Sequence, residues 1–268
     1  MDQNLRSHLS VKHAILSDRL TEQDVEAAFE AVRPIAERAG GAAPQLLGLS
    51  DPFEAEVHGA VALSALLCLP IGQDRIGVAM LAALIGRGGD AAASALLHAI
   101  EVVTAGPAKT YITTEIELLE GAGVPCPPWE SGLDDPVESV SAWACSPVME
   151  SGGAPHAVLV FEFSRAGSTH AFIIHRDYQG DGSIRKVNGI PDIGWHSFRK
   201  FLLTGKALEV PYAIEEMDFN RAVDHFDAPR MAMWRNLSED PDRFAADTDL
   251  STAPGMTLLL ETHMTAAM

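Results

Sequence analysis

The sequence contains little cysteine, and this scarcity excludes a fold held together by disulfides. Its three cysteines, Cys68, Cys126 and Cys145, are widely spaced and odd in number. Disulfide-rich secreted proteins instead carry even sets of closely spaced cysteines. Cys126 and Cys145 also have no base nearby in the sequence that would indicate a nucleophile. We therefore expect a protein of the reducing cytoplasm.

Long hydrophobic runs are also missing, which argues against a membrane protein. The longest apolar run lies near Ala60 to Leu69, whereas a helix needs roughly 20 apolar residues to span a bilayer. The first residues, as far as Leu16, contain no apolar core like that of a signal peptide. We expect a soluble, cytoplasmic protein that does not bind membranes.

Basic residues are scarce. The 19 Lys and Arg are outnumbered by 37 Asp and Glu, so the formal net charge is −18. Binding to a phosphate backbone needs clustered basic side chains, and we therefore expect no direct binding of nucleic acid. The acidity permits an acidic decoy for a nucleic-acid-binding protein. The acidic residues are scattered through the chain, however, and this distribution favours a role in solubility.

Motifs of common enzymes are missing too. The sequence contains no dinucleotide fingerprint, no nucleophile elbow and no paired-cysteine metal site. The glycine cluster Gly86 to Gly89 lacks the preceding strand and the Lys-Ser/Thr pair of a phosphate-binding loop. Asp90 is instead predicted to cap a helix over Ala91 to Thr104. We expect no organic cofactor.

A helical pattern dominates the first part of the chain. About five helices are predicted before residue 123, because apolar residues recur at three- and four-residue spacings between glycine and proline breaks. The prolines of Val124 to Trp129 then forbid a helix. The sequence therefore predicts an α+β fold. It comprises an α-helical domain at 1–123, a Pro-rich linker at 124–136 and an α+β domain at 137–268, with a small antiparallel sheet and flanking helices.

The last part of the chain gives weaker signals. The helical pattern of Met217 to Trp234 is expected to be split in two by Pro229. The segment Met256 to His263 is compatible with a helix or with a late edge strand.

A β-hairpin is predicted between Ala157 and Ile174. Two short runs rich in Val, Ile and Phe flank Ala166-Gly167, which is a plausible two-residue turn. With that turn, Phe163 lies opposite His170, and Val158 lies opposite His175. Alternation along each strand then produces one apolar face and one mixed face.

The mixed face of this hairpin carries the sharpest chemical hypothesis in the sequence. His156, His175 and Asp177 are predicted to converge at one end of the two strands. Two imidazoles and a carboxylate can bind a divalent metal such as zinc, or they can form a His–Asp pair. Glu162 and Asp181 are the candidates for a catalytic base. Polar residues at strand ends exposed to solvent are the alternative interpretation.

The segment Asp177 to Asn188 partly matches the twelve-residue calcium loop. Asp177, Asp181 and Gly182 occupy the first, fifth and sixth positions. Asn188 stands at the twelfth position, where a bidentate Glu is required. The alternative is a Gly-Asp-Gly turn that leads into a third strand, Ser183 to Val187.

Four segments resemble a group of uncharacterised soluble proteins from actinobacteria. They are Asp51 to Glu56, Val124 to Trp129, Glu138 to Trp143 and His170 to Gly180. The resemblance covers about residues 50–190. It implies a helical domain joined to an α+β domain and implies no activity.

Three functions remain open from the sequence. The favoured one is a non-catalytic protein-interaction or binding module, whose partner is another protein or a second copy of the chain. The second is a metal-dependent, hydrolase-like enzyme that uses zinc or calcium at His156, His175 and Asp177, with Glu162 or Asp181 as base. The third is the acidic decoy.

Overall fold

The computed structural model of the protein describes residues 22–69, 75–147, 157–204 and 212–268. Among these residues, five helices come first: α1 (Glu22–Ala42), α2 (Pro52–Leu67), α3 (Arg75–Gly86), α4 (Ala91–Val103) and α5 (Pro107–Gly121). As predicted, Asp90 caps α4, since its Oδ1 accepts a hydrogen bond from the backbone N–H of Ala93 at 2.8 Å.

The described part of the chain also contains one antiparallel sheet with the strand order β4-β3-β2-β1-β5. Its strands are β1 (Val137–Pro147), β2 (Val158–Arg165), β3 (Ser168–Arg176), β4 (Ile184–Ile190) and β5 (Tyr212–Met217). The helices α6 (Asp192–Leu203), α7 (Phe219–Glu239), α8 (Pro241–Ala246) and α9 (Ala253–Ala267) flank it. The fold is therefore α+β, as the sequence predicted.

The predicted hairpin is confirmed with its register. Phe163 pairs with His170, and Val158 pairs with His175. The turn residues Ala166 and Gly167 have φ angles of 50° and 85°, which is the left-handed conformation that a two-residue hairpin turn requires.

Both faces of the sheet are buried. One face, which includes Phe161 and Phe172, belongs to a large core that also contains residues of the helices before and after the sheet. The opposite face, with Val160 and Ile173, packs against Trp195 and other residues of α6. The large core is thus continuous from one side of residues 124–136 to the other. The proposed division into two domains at this segment stays a prediction.

Helix α2 packs between α4 and α9, and two glycines allow the backbones to touch. A Cβ on Gly59 would lie 2.0 Å from the carbonyl oxygen of Ala99, and one on Gly255 would lie 1.9 Å from that of Ala60. No side chain fits in either space. The hydroxyl of Ser64 also accepts a hydrogen bond from the N–H of Gly255 at 2.5 Å. These contacts fix the position of α9 against α2.

The prediction that Pro229 splits its helix is wrong, because α7 continues through this residue. A proline removes one backbone N–H from the helix. Phe226 and Met233 are buried on either side of it, so packing against the core offsets that loss.

For the segment near the end of the chain, the sequence left a helix and a late edge strand as alternatives. Met256 to His263 lies within α9, a helix with buried residues along its whole length. None of the described helices is long and apolar enough to cross a membrane.

Candidate functional site

A cleft of about 560 Å³ opens where four segments of the structure meet. Its walls are the start of α2, the segment from Pro128 to Asp135, the β2–β3 turn and the start of α6. The side chains that define its chemistry are Asp51, Phe53, Glu54, Asp135, Arg165, His170, Asp192 and Ile193.

Four buried polar side chains form a connected set beside this cleft, which we call the Glu56 network: Glu56, Arg165, His170 and His263. Oε1 of Glu56 lies 2.8 Å from Nη2 of Arg165, and Oε2 lies 2.9 Å from Nε2 of His263. Nδ1 of His263 lies 3.0 Å from Nε2 of His170. Each of the four residues is at most 9% exposed. Arg165 and His170 also line the cleft, so they connect its surface to the interior.

The start of α2 determines where Glu56 lies. Oδ1 of Asp51 accepts a hydrogen bond from the N–H of Phe53 at 3.0 Å, and Pro52 occupies the first helical turn. Both features are typical of a helix N-terminus. Phe53 and Glu56 are three residues apart and therefore share one side of the helix. The ring of Phe53 stacks on His170 with a centroid distance of 4.1 Å.

Glu56 is ionised inside the protein because its partners compensate for burial. Burial by itself raises the pKa of this carboxyl. The hydrogen bond and charge of His263, together with the charge of Arg165, outweigh that effect and hold the pKa of Glu56 below its ordinary value. The network therefore contains a buried carboxylate next to a buried guanidinium.

The two histidines connect this carboxylate to the cleft through hydrogen bonds. Burial lowers the pKa of His170 to about 2, and the charges of His263 and Arg165 add to this effect. Ionised Glu56 can only accept, so Nε2 of His263 carries a proton. Nδ1 of His263 is hydrogen-bonded to Nε2 of His170, and the protonation of the two rings decides which nitrogen donates.

Arg165 does not satisfy all of its donors. Its contact with Glu56 is a short ion pair and not a well-directed hydrogen bond, and its buried Nε and Nη1 have no hydrogen-bond partner among the described residues. Unpaired buried donors are uncommon and costly. The guanidinium is thus held at this position mainly by charge.

The rim of the cleft is acidic. Asp51, Glu54, Asp135 and Asp192 line it. Burial, with the charges of Glu56 and Asp192, raises the pKa of Asp51, although the N–H of Phe53 opposes this shift. Arg165 is the one Lys or Arg among the described lining residues. It is already paired with Glu56, so the cleft attracts positive charge.

Two of the predicted metal ligands, His175 and Asp177, lie elsewhere, at the far end of the hairpin. His156 is outside the described residues. His175 is opposite Val158 on β2, as predicted, and opposite Lys186 on β4. Burial and the charge of Lys186 lower the pKa of His175, while the charge of Asp249 opposes them. A cation at this position would therefore be next to an ammonium group.

Asp177 closes the turn between β3 and β4. Its Oδ1 accepts a hydrogen bond from the N–H of Gly180 at 3.1 Å, and its own N–H donates to the carbonyl of Ser183 at 2.8 Å. Gly182 has a φ of 77°. The predicted Gly-Asp-Gly turn is present and leads into β4. Calcium binding at this turn stays a prediction.

The two candidate bases contact different helices. Glu162 is buried beneath α6, where it accepts a hydrogen bond from Nε1 of Trp195 at 2.7 Å and also bonds to the hydroxyl of Ser141. Asp181 accepts from the side-chain amide of Asn236 on α7 at 2.6 Å. This hydrogen bond is the main reason that the pKa of Asp181 is lowered to about 2. The structure does not bring the two carboxylates together, and their catalytic roles stay predictions.

The sequence did not indicate the Glu56 network. One signal was present, because the hairpin register places His170 on the apolar face opposite Phe163. A histidine in that position needs a buried partner. The partner is His263, and no local spacing relates it to Glu56, which is 207 positions away in the chain.

Comparisons with protein-family models, curated proteins and solved structures found no match to this chain. The resemblance to actinobacterial proteins over residues 50–190 therefore stays a prediction. A functional proposal has to be argued from the site itself.

Proposed function

We propose that the protein is a non-catalytic binding module whose cleft receives a basic side chain from a partner protein. The observation that carries this proposal is the charge of the cleft. Four carboxylates line it, and its guanidinium, Arg165, is paired with buried Glu56. A lysine or arginine side chain would complement these carboxylates. The net charge of −18 would also accelerate the approach of a basic partner.

An apolar rim supports a protein partner over a small molecule. Ile193 lines the cleft and is 86% exposed. Protein interfaces combine apolar contacts with a few charged anchors, and Ile193 beside the carboxylates of the cleft offers both.

The test uses short peptides that are identical except for a central Lys, Arg, Gln or Glu. We expect the Lys and Arg peptides to bind more tightly than the Gln peptide, and the Glu peptide to bind weakest. Replacing Asp51→Asn and Asp135→Asn together should weaken Lys and Arg binding by about threefold to tenfold, since partly exposed charge pairs contribute about 0.2–1 kcal/mol each. Fluorescence anisotropy measures the affinities.

A matched control distinguishes binding in the cleft from attraction by the net negative charge of the protein. Glu117→Gln with Glu216→Gln removes the same charge from two exposed positions outside the cleft and should leave the affinities unchanged. Asn is as good a helix cap as Asp, so α2 should stay intact in the Asp51 variant. Equal losses in both double variants, or no preference for Lys and Arg, would refute the proposal.

A second candidate is acid–base catalysis in the same cleft. The chain from Glu56 through His263 to His170 favours it, because a carboxylate that orients an imidazole is a common arrangement in catalysis. Mass spectrometry of a bound peptide after incubation distinguishes the two functions. An unchanged peptide supports binding alone, whereas a modification that stops in His170→Gln supports catalysis.

Two hypotheses from the sequence stay predictions. The hypothesis of a metal-dependent, hydrolase-like enzyme requires a metal ion at His156, His175 and Asp177, with Glu162 or Asp181 as base. The acidic decoy requires carboxylates in a row at phosphate-like spacing.

A further inference from the structure

Three potential metal ligands that do not line the cleft meet at one place. His98 belongs to α4, Glu120 to the last turn of α5, and Cys126 to the proline-rich segment that follows. Their ligand atoms all lie within 4.8 Å of one another. Sγ of Cys126 is 3.2 Å from Oε1 of Glu120, and Nε2 of His98 is 4.0 Å from the same oxygen.

One buried nitrogen of the His98 imidazole lacks a hydrogen-bond partner among the described residues. His98 is 6% exposed, and its buried Nε2 has no hydrogen-bond partner within the described part of the chain. This is the same nitrogen that faces Glu120 and Cys126. Buried polar atoms nearly always have a partner, and a metal ion between the three side chains would provide it.

We propose that His98, Glu120 and Cys126 form a zinc site. Zinc is bound in proteins by imidazole nitrogen, thiolate sulfur and carboxylate oxygen, which are the three ligand types present here. A thiolate with an imidazole disfavours magnesium and calcium, which prefer oxygen ligands. The fourth position of a tetrahedral ion would be open to water or to a ligand from outside.

Two of the three distances between the ligand atoms are close to those around such an ion. Tetrahedral zinc with bonds of about 2.0–2.3 Å places neighbouring ligand atoms about 3.3–3.6 Å apart. The sulfur–oxygen distance of 3.2 Å is already close to this range, and the nitrogen–oxygen distance of 4.0 Å is slightly longer. Rotation of the Glu120 side chain, which is 44% exposed, can close the difference.

The backbone around Cys126 is fixed before any metal binds. The N–H of Gly123 donates to the carbonyl of Glu120 at 2.8 Å, and the N–H of Val124 donates to that of Leu119 at 3.0 Å. On the other side, buried Trp129 donates from Nε1 to the carbonyl of Leu46 at 2.9 Å. Prolines flank Cys126 directly, so the thiol has little backbone freedom to lose.

The test is cobalt and zinc binding by the full chain after treatment with EDTA. Co²⁺ should give a thiolate charge-transfer band in the near ultraviolet with one equivalent bound, and Zn²⁺ should displace it and raise the melting temperature. Cys126→Ser should abolish the band. It should also weaken zinc binding by more than about 100-fold, because loss of an outer-shell partner alone costs 10–100-fold. His98→Gln should weaken zinc binding similarly.

Two controls make the result specific. His58→Gln with Glu117→Gln changes the same residue types at neighbouring sites and should bind metal like the wild type. His175→Gln should also leave binding unchanged, whereas loss of metal in that variant would place the ion at the hairpin. Cys126 is exposed, so Cys126→Ser should not perturb the fold, which circular dichroism verifies. Wild-type protein without a stoichiometric cobalt band, or a band that persists in Cys126→Ser, would overturn the proposal.

Discussion

At the scale of single residues, the Glu56 network shows how charged groups are kept inside this protein. Removing a carboxylate from water costs several kcal/mol, and Glu56 is fully buried. A guanidinium and an imidazole, each within 2.9 Å of one of its oxygens, compensate for that cost. The network joins α2, β2, β3 and α9, and it therefore specifies how these elements meet.

His170 should make the stability of the protein depend on pH. Its pKa is about 2 in the folded state and about 6.5 in the unfolded chain. Below pH 6.5 the unfolded state binds a proton that the folded state does not, so acidification favours unfolding. Above about pH 7.5 His170 is neutral in both states, so it no longer makes the stability depend on pH. Between pH 7.5 and 5.0, we expect this residue to account for a loss of about 2 kcal/mol in the free energy of unfolding.

Urea unfolding at the two pH values measures this effect. His170→Gln should reduce the loss of stability on acidification relative to the wild type. His196→Gln is the control, since the side chain of His196 is 71% exposed, and it should behave like the wild type. The same pH dependence in His170→Gln and in the wild type would show that His170 is not buried as described.

At the scale of secondary-structure elements, the packing of α2 against α4 and α9 depends on small residues. Gly59 and Gly255 let helix backbones approach closely enough that no Cβ fits between them. The antiparallel contact of α2 with α9 places Glu56 beside His263 at one end and Ala60 beside Gly255 further along. The buried network and the helix crossing are therefore parts of one interface.

Gly255→Ala should strongly destabilise the protein. Its new methyl group would lie 1.9 Å from the carbonyl oxygen of Ala60 and 2.7 Å from the hydroxyl of Ser64, and the first of these neighbours is backbone. We expect a loss of about 3 kcal/mol or more, the upper part of the range for overpacked cores. Thermal and urea unfolding measure it.

Gly40→Ala in α1 is the matched control. A Cβ there meets nothing within 4 Å, and alanine favours a helix over glycine by about 0.5–1 kcal/mol. This substitution should be neutral or slightly stabilising. A Gly255→Ala variant as stable as Gly40→Ala would contradict the close crossing of α2 and α9.

Local signals in the sequence correctly predicted the elements that are determined by contacts between neighbours in the chain. The turn at Ala166-Gly167 and the alternation of apolar residues fixed the register of β2 and β3, and Asp90 marked the start of α4. Both predictions are confirmed because turn geometry and helix capping involve neighbours in the chain.

Elements that depend on distant partners could not be assigned in this way. In α9, the consecutive residues Ala253 to Thr257 are all buried, and the apolar run Leu258 to Leu260 that follows is too short to show a helical period. The sequence therefore left helix and strand as alternatives. The prediction at Pro229 is wrong for a related reason. The helix loses one backbone N–H at this proline, and packing against the core, which no local pattern shows, offsets the loss.

At the scale of the whole molecule, charge and shape combine at the cleft. The net charge of the chain is −18, and the cleft brings four carboxylates around one concave space beside an exposed apolar side chain, Ile193. General acidity would attract any cation weakly, with a strong dependence on salt. A shaped acidic cleft should instead select cations that reach into it.

The proposal of a cleft for basic side chains is tested most directly by NMR titration with two small probes. Butylguanidinium and butyrate share an alkyl chain and carry opposite charges. We expect butylguanidinium to shift the amide signals of residues 51–54, 131–135 and 192–193. These shifts should disappear in the Asp51→Asn, Asp135→Asn double variant, and butyrate should cause none at these positions. Butylguanidinium shifts spread evenly over the acidic surface, or butyrate shifts centred on Arg165, would contradict the proposal.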